Sequence, residues 1–475
     1  MEKIDDTGIM GDASLGNDSA TEGEIEAARP KEQVETDELD WDNSPHNPFN
    51  WPAWKKALQV VMLSSAGLLA SIGTSIMSPA RKELMIEFNV SSTVALLPLT
   101  LYVLALGFGP VIGGPLSETI GRYPIYAASI PLGALFTMGA GFVHNIGGLG
   151  FLRFMAGLCW APVLAVAPGT LSETFTPKNR GPVSAVFILM PFLGPGLGLF
   201  CGESKGMEVD AVDVGLLFDT GYDHHCVLAQ TFHPVIKRRL MKKKGMNVDP
   251  PPPMAARLKM FALVAVVRPI RMLLLEPITG FICLYVSAEF GTLFSFFAAV
   301  PYTFGRVYQF SIEESGLVFL SIVIGCFLGL ITVILCDVFL YRKQAPKYPP
   351  HQIPTRASSL PFHDWKYRIA NWTVLVCLDS TTWRFLGKSR SIDDHICLGK
   401  SFVVASAASA NSLARYGFAG VFPLFTIQMY EKLGIDWASS LLAFVALALL
   451  PVPWVLFKYG PTIRAKSSYE TVKFN

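Results

Sequence analysis

Three ionisable side chains lie inside long apolar stretches of this 475-residue sequence, at Arg153, Glu289 and Arg415. A charge in hydrocarbon costs on the order of 2.5–3.5 kcal/mol, so such residues usually mark the path of an ion or a polar solute. A carboxyl in apolar surroundings, such as that of Glu289, can take up and release a proton at physiological pH. The alternatives are a guanidinium that reaches the membrane surface, for Arg153, and a structural hydrogen bond, for Glu289.

The composition is that of a protein embedded in lipid. Hydrophobic residues make up 51% of the chain, charged residues only 16%, and phenylalanine occurs 33 times. Windows without a charged residue reach or approach the roughly 20 residues that span a bilayer; they are 57–79, 93–117, 123–150, 154–172, 181–202, 315–336 and 437–457. Two further apolar stretches, 273–301 and 401–429, contain charges. We therefore predict nine spanning helices and a weak tenth at 369–378.

The tails and loops predict the orientation. Residues 1–55 are rich in acids and predict a disordered cytoplasmic tail. Residues 231–272 contain ten lysines and arginines but only one acidic residue, which predicts a cytoplasmic loop. The glycosylation sequon at Asn89 would lie on the opposite side, and residues 459–475 would form a second cytoplasmic tail. The eight cysteines are scattered singly, which indicates neither a disulfide framework nor a metal site.

The stretch ESKGMEVDAVDVGLLFDTGYDHHC, from Glu203 to Cys226, interrupts this alternation. A sixth crossing must return the basic loop to the cytoplasm, yet acids and histidines occupy its place. Plausible codons for residues 207–210 encode Trp-Arg-Trp-Thr when the reading frame is shifted by one base. The same shift turns plausible codons for residues 223–226 into Ile-Ile-Ile-Val. We therefore hypothesise that a shifted reading frame disrupts the sixth span. A genuine extracellular loop is the alternative, whereas a metal site at 223–226 lacks a second ligand cluster.

A second interruption lies at residues 379–400, which are too charged to span a membrane. If the ninth and tenth helices are disrupted there, the alternation is preserved and the nominal total is twelve. The predicted domains are then an amino-terminal half at 56–202, a disrupted span and basic central loop at 203–272, and a carboxy-terminal half at 273–458.

The segment GPLSETIGRYP, from Gly114 to Pro124, has the residues for a charge latch that could hold the two halves together in one conformation. Gly114 and Gly121 permit a tight turn, Glu118 can accept hydrogen bonds from a helix N-terminus or an arginine, and Arg122 supplies a cation. A merely solvated basic turn is the alternative. The segment resembles the signature between the second and third helices of the major facilitator superfamily, although Tyr123 stands where a second basic residue is usual.

Further motifs resemble the twelve-spanning fungal drug:proton antiporters of that superfamily. They are NPFNWPAWKK at 47–56, RFMAG at 153–157, PKNRG at 177–181, MPFLGPGLG at 190–198 and the stretch 407–465. Glycines in the fourth of these leave room for close helix approach, and Pro195 removes a backbone donor and can kink the helix. The resemblance implies an antiporter-like motif at Gly194, Pro195 and Gly198. Packing alone is the alternative role.

The resemblance implies an all-α integral membrane protein, a bundle of two helical halves that exposes a midplane site alternately to each side. It implies a monomer in the plasma membrane that exports small lipophilic or cationic compounds against protons, with no cofactor, metal or nucleic acid. Arg153, Glu289 and Arg415 would serve proton coupling or the substrate pathway. Aromatic residues could line the cavity or face lipid; the candidates are Trp160, Tyr285, Phe294, Phe296, Phe297 and Tyr302.

Other functions stay open at this point. The chain could be an inactive or mispredicted product of the same family, because a half without its sixth helix cannot close its cavity. It could also be a uniporter or a sensor of the same fold. An enzyme is disfavoured, since the loops contain no glycine-rich phosphate loop, nucleophile elbow or metal-ligand pair.

Overall fold

A computed structural model describes residues 41, 43–78, 80–203, 230–243, 267–336 and 401–449, and these residues form helices and connecting turns without a strand. A short 3₁₀ helix at Pro48–Asn50 precedes the first long helix. The helices are α1 (Ala53–Ile72), α2 (Arg81–Glu87), α3 (Ser92–Leu106), α4 (Gly109–Ile120), α5 (Arg122–Ala140), α6 (Ile146–Thr174), α7 (Pro177–Glu203), α8 (His233–Lys243), α9 (Arg268–Leu275), α10 (Pro277–Val307), α11 (Ile312–Cys336) and α12 (Ser401–Leu449).

Within the described ranges, four helical stretches are long and apolar enough to cross a membrane: Ser92–Glu118, Ile146–Thr174, Thr279–Val307 and Ser409–Leu449. The first joins α3 and α4. The last contains Gly434, whose φ of +77° separates two helices that otherwise run on as α12. Helices are the expected secondary structure in lipid, because each helix satisfies its backbone hydrogen bonds within its own segment.

Large apolar side chains cover the outside of the bundle. Phe142, Phe151, Trp437 and Leu447 are among the hydrophobic residues that are more than half exposed. A soluble monomer rarely exposes apolar surface on this scale, whereas lipid tails cover it without cost. The apolar exterior therefore agrees with a membrane environment.

The first half is assembled around α6, which packs against α3, α4 and α5. Asn145 begins this helix, since its side-chain oxygen accepts a hydrogen bond from the Gly148 amide at 2.6 Å. Gly157 allows α3 to come close, because a Cβ at this position would overlap the carbonyl oxygen of Tyr102. The close spacing of α3 and α6 thus depends on the absence of a side chain at Gly157.

Among the described helices, the two halves meet mainly along three pairs: α7 with α11, α3 with α12, and α4 with α12. At the end where α1 stops and α3 begins, Ser78 Oγ donates to the Phe297 carbonyl at 3.1 Å, and Gln428 Nε2 donates to Thr93 Oγ1 at 2.7 Å. An apolar cluster of Leu96, Ala298 and Ile427 lies beside them. These contacts hold the halves together at that end of the bundle.

Several predictions from the sequence lie outside the described residues. They concern the amino-terminal tail up to residue 40, the interrupted stretches at 204–229 and 379–400, and the final tail at 459–475. The predicted loss of three spans and the predicted domain limits therefore stay predictions.

The close approach at Gly157 can be tested by adding one methyl group. We expect Gly157→Ala to destabilise the protein by about 1–3 kcal/mol, because the methyl must push α3 away from α6. Thermal unfolding in detergent, followed by size-exclusion chromatography, would show the loss. Gly417→Ala is the matched control, since nothing lies within 4 Å of a Cβ added at Gly417. Equal unfolding temperatures for the two variants would contradict the close contact.

Candidate functional site

The turn between α4 and α5 is built on a single glycine. Gly121 has a φ of +99°, a conformation that side chains with a Cβ rarely adopt. A Cβ there would also overlap the side-chain amide of Gln230. Gly114 lies inside α4 with open space around it, so the turn depends on Gly121.

Gln230 caps the start of α5 from far away in the sequence. Its Oε1 accepts hydrogen bonds from the backbone amides of Arg122 at 2.7 Å and Tyr123 at 3.1 Å. The first amides of a helix have no acceptor within the helix, so an outside oxygen satisfies them. The beginning of the central loop is thereby fixed to the end of the bundle at Gly121.

Arg122 forms a buried ion pair with Glu173. The guanidinium Nη2 lies 2.8 Å from Glu173 Oε1, and Nε lies 3.2 Å from the same oxygen. Nη1 donates to Ser117 Oγ, and the guanidinium lies 5.0 Å from the ring centre of Phe232. The side chains of Arg122 and Glu173 are only 9% and 14% exposed, so the pair is charge-assisted and little screened.

Glu173 also fastens the central loop. Its Oε2 accepts a hydrogen bond from Thr231 Oγ1 at 2.9 Å, and its backbone carbonyl lies 3.0 Å from His233 Nε2. We call Ser117, Arg122, Glu173, Gln230 and Thr231 the latch. These residues come from the first half and from the central loop, so the latch joins these two parts of the chain.

The sequence did not single out Glu173 or Gln230. Glu118, which the sequence predicts as an acceptor in the latch, is half-buried and lies within electrostatic range of Arg122 and Glu173. The carboxylate bonded to Arg122 is that of Glu173 instead. One feature of the sequence could have identified Glu173: it is an acidic residue at the end of a predicted span, on the same predicted side of the membrane as Arg122.

Arg153 is fully buried inside the first half. The residue is 1% exposed, so its side chain is enclosed by protein. Its charge acts on the hydroxyl of Tyr102, which donates a hydrogen bond to the Ala70 carbonyl at 2.7 Å. Tyr102 is also within electrostatic range of Tyr416 in α12. This buried cation thus acts on a residue of α3, the helix that packs against α12 of the other half.

Arg415 lies against aromatic rings at that boundary. Its guanidinium is 4.6 Å from the ring centres of both Phe290 and Tyr416. Phe192 of α7 meets the edge of Phe290 with ring centres 6.2 Å apart. We call Phe192, Phe290 and Tyr416 the aromatic cluster. Glu289 is half-buried and directly precedes Phe290 on α10.

The other aromatic candidates have different surroundings. Trp160 is buried in the first half, where its indole NH donates to Thr137 Oγ1 at 3.3 Å. Phe296 is 40% exposed. Phe294 and Phe297 are buried and pack edge to face at 5.1 Å. Sequence reasoning did not identify the rings that surround Arg415, because which rings meet depends on the contact of α10 with α12.

The glycine-rich run of α7 packs against α1. A Cβ on Gly194 would lie 2.5 Å from Ser71 Cβ, and one on Gly198 would lie 2.5 Å from Ser75 Oγ. Ser75 Oγ donates to the Pro195 carbonyl at 2.8 Å. The three predicted motif residues therefore share one close helix contact within the first half.

The part of the chain that the structure describes contains no cluster of metal ligands. No group of three His, Cys, Asp or Glu side chains could hold an ion there. Cys159, Cys283 and Cys326 form no disulfide bond within these described residues.

Known proteins resemble this chain over most of its length. The family model of the Major Facilitator Superfamily matches residues 63–205. Polyamine transporter 4 of Saccharomyces cerevisiae is 32% identical over 494 aligned residues, which cover 92% of this chain and 74% of the relative. Fluconazole resistance protein 1 of the same yeast is 30% identical, with 95% and 89% covered. Efflux pump FUBT of Fusarium oxysporum is 32% identical, with 88% and 75% covered.

A solved structure shares the fold. The proton:xylose symporter XylE, bound to 6-bromo-6-deoxy-D-glucose, superimposes with a TM-score of 0.57 at 13% identity, over 86% of this chain and 96% of that one. The predicted all-α membrane bundle is thereby confirmed. The chain therefore belongs to the major facilitator superfamily, so it is an integral membrane transporter and not an enzyme.

Proposed function

We propose that this transporter exports small lipophilic or cationic compounds in exchange for protons, by exposing a central site alternately to the two sides of the membrane. The observation that carries the proposal is the full burial of Arg153 beside Tyr102, next to the boundary between the halves. A buried cation at that place responds to the charge of whatever occupies the boundary. The names of the relatives, a polyamine transporter, a drug resistance protein and an efflux pump, support export.

Glu289 is the proposed proton carrier. It precedes Phe290, and the guanidinium of Arg415 covers the ring of that phenylalanine. A nearby cation favours the carboxylate, whereas apolar surroundings favour the neutral acid. A rearrangement of the halves that exposed this half-buried carboxyl to water would therefore change the proton affinity of Glu289. Arg153 is the proposed positive partner within the first half.

The aromatic cluster is the proposed contact for substrate. A ring face attracts cations by about 0.5–2 kcal/mol, and more strongly away from water. Arg415 uses this attraction at the faces of Phe290 and Tyr416. A flat cationic substrate would compete with Arg415 for the same rings, so binding would displace the arginine and favour another arrangement of the halves.

The position of the latch supports a proposed orientation in the membrane. The basic helix α8 begins beside Glu173, and basic segments favour the cytoplasm. We therefore propose that the latch end and both termini are cytoplasmic and that the protein is a monomer of the plasma membrane. Gly194, Pro195 and Gly198 would keep α7 on α1 while the halves move.

The proposed exchange predicts substrate movement that depends on a pH gradient. Purified protein in liposomes should accumulate a fluorescent lipophilic cation at least about ten-fold faster with a pH gradient than without one, because proton flow drives the exchange. A protonophore should abolish the difference, and protein-free liposomes are the control. Equal rates with and without the gradient would indicate a uniporter. No flux in either case would indicate a sensor or an inactive product.

The role of Glu289 predicts a loss of coupling without a loss of binding. We expect Glu289→Gln to reduce gradient-driven accumulation about ten-fold or more while the dissociation constant of the cation changes less than about three-fold, because the amide cannot carry a proton. Transport assays and fluorescence titration measure the two quantities. Glu87→Gln, at an exposed position of α2, is the matched control. Accumulation at the normal rate would remove Glu289 from the mechanism.

The latch predicts a larger effect at Glu173 than at Glu118. Glu173→Gln leaves Arg122 without its bonded anion, and breaking one side of a buried pair costs about 3–5 kcal/mol. We expect a lower unfolding temperature and a transport rate reduced about ten-fold. Glu118→Gln should affect both quantities less, and the exchange Arg122→Glu with Glu173→Arg should restore part of the rate. A greater effect of Glu118→Gln would contradict this assignment.

A further inference from the structure

Helix α8 is anchored to the bundle along one face. His233, Lys237 and Met241 are spaced four residues apart, so they lie above one another on the helix. The His233 ring contacts Trp41 and Phe49 with ring centres 5.3 and 5.1 Å apart. Lys237 Nζ lies 5.1 Å from the ring centre of Trp41, and Met241 is buried. This face of α8 is therefore occupied.

The opposite side of α8 carries exposed positive charge. Arg239, Lys242 and Lys243 are exposed, and their spacing of three and four residues places them together on the helix surface. The sequence contains no acidic residue between 230 and 243. We call these three residues the basic face. Like charges at such spacing repel each other, so an anionic partner would stabilise them.

Trp41 holds the amino-terminal chain beside this helix. The Asn47 side-chain nitrogen donates to the Trp41 carbonyl at 3.2 Å, and its oxygen accepts from the Phe49 amide at 3.1 Å. Asn47 is itself only 2% exposed. Trp41, the first described residue of the chain, thus contacts α8 through its ring.

The chain that precedes Trp41 has the complementary charge. Residues 1–40 lie outside the described residues and contain thirteen acidic and three basic side chains, a net charge of −10. Helix α8 has eleven residues and is about 16 Å long, so the whole basic face is within reach of a chain that extends up to about 3.3 Å per residue. Attachment at Trp41 gives this chain an effective concentration on the order of millimolar at the helix.

We propose that the acidic segment at residues 1–40 binds the basic face of α8 within the same molecule. Attachment beside the helix favours this partner over an anionic phospholipid, which must come from the surrounding leaflet. The contact is electrostatic, so salt weakens it as the Debye length falls from about 10 Å at 0.1 M to about 3 Å at 1 M. It would hold the central loop against the latch, since Thr231 and His233 begin the same segment. This inference goes beyond the proposed transport and does not depend on the substrate.

Photo-crosslinking in the full-length protein tests the proposal. Arg239→p-benzoylphenylalanine, and in a separate variant Lys243→p-benzoylphenylalanine, would be irradiated in liposomes of phosphatidylcholine and phosphatidylserine, and the adducts identified by mass spectrometry. We expect adducts with peptides from residues 1–40 of the same chain. Raising the salt from 0.1 to 1 M should reduce them at least about five-fold. The same label at Trp437, which is 70% exposed on α12, is the control and should give no such peptides.

A charge variant separates attraction from mere proximity. Changing Glu22, Glu24, Glu26, Glu32 and Glu35 to Gln should reduce the tail adducts at least about five-fold without changing the elution of the protein in size-exclusion chromatography. Adducts mainly with phosphatidylserine, adducts with another copy of the chain, or no adduct would each overturn the proposal. So would tail adducts of unchanged yield in the charge variant.

Discussion

Hydrocarbon offers no hydrogen bonds to a chain that crosses it, and the arrangement of polar groups in this protein follows from that constraint. Buried hydroxyls bond to helix carbonyls: Tyr102 to Ala70, and Thr100 to Gly420 across the two halves. Apolar side chains cover the outside. The Arg122–Glu173 ion pair lies at one end of the bundle, and Arg415 lies against aromatic rings near the boundary between the halves.

The latch shows how charge is accommodated at a bundle end. Arg122 and Glu173 are both buried, and such a pair is stable only when further hydrogen bonds satisfy its remaining donors and acceptors. Ser117 and Thr231 provide these bonds, and Gln230 caps the neighbouring helix. The bonds of Thr231 and Gln230 tie the central loop to the first half, so the start of the basic helix has a defined position at this end of the bundle.

The boundary between the halves combines few polar contacts with aromatic packing. Gln428 and Thr93 join the halves at one end, whereas Arg415 lies on aromatic rings deeper in the bundle. Such contacts can be exchanged for others at small cost, because each is worth only about 1 kcal/mol in net terms. Two well-packed halves with a weakly bonded boundary suit a protein that rocks between two arrangements.

Hydropathy and charge spacing determined that this chain crosses a membrane, that a glycine turn lies before Arg122, and that Arg153 is an unusual charge, because each is a local property of a short stretch. The pairings were not predictable: Glu173 and Gln230 lie 51 and 108 residues from Arg122, and their positions in the sequence do not show that they meet it. The contact of Arg415 with Phe290 is equally remote. Only the tertiary structure decided these pairings, because they depend on which helix ends and faces meet, and those meetings depend on packing across the whole bundle.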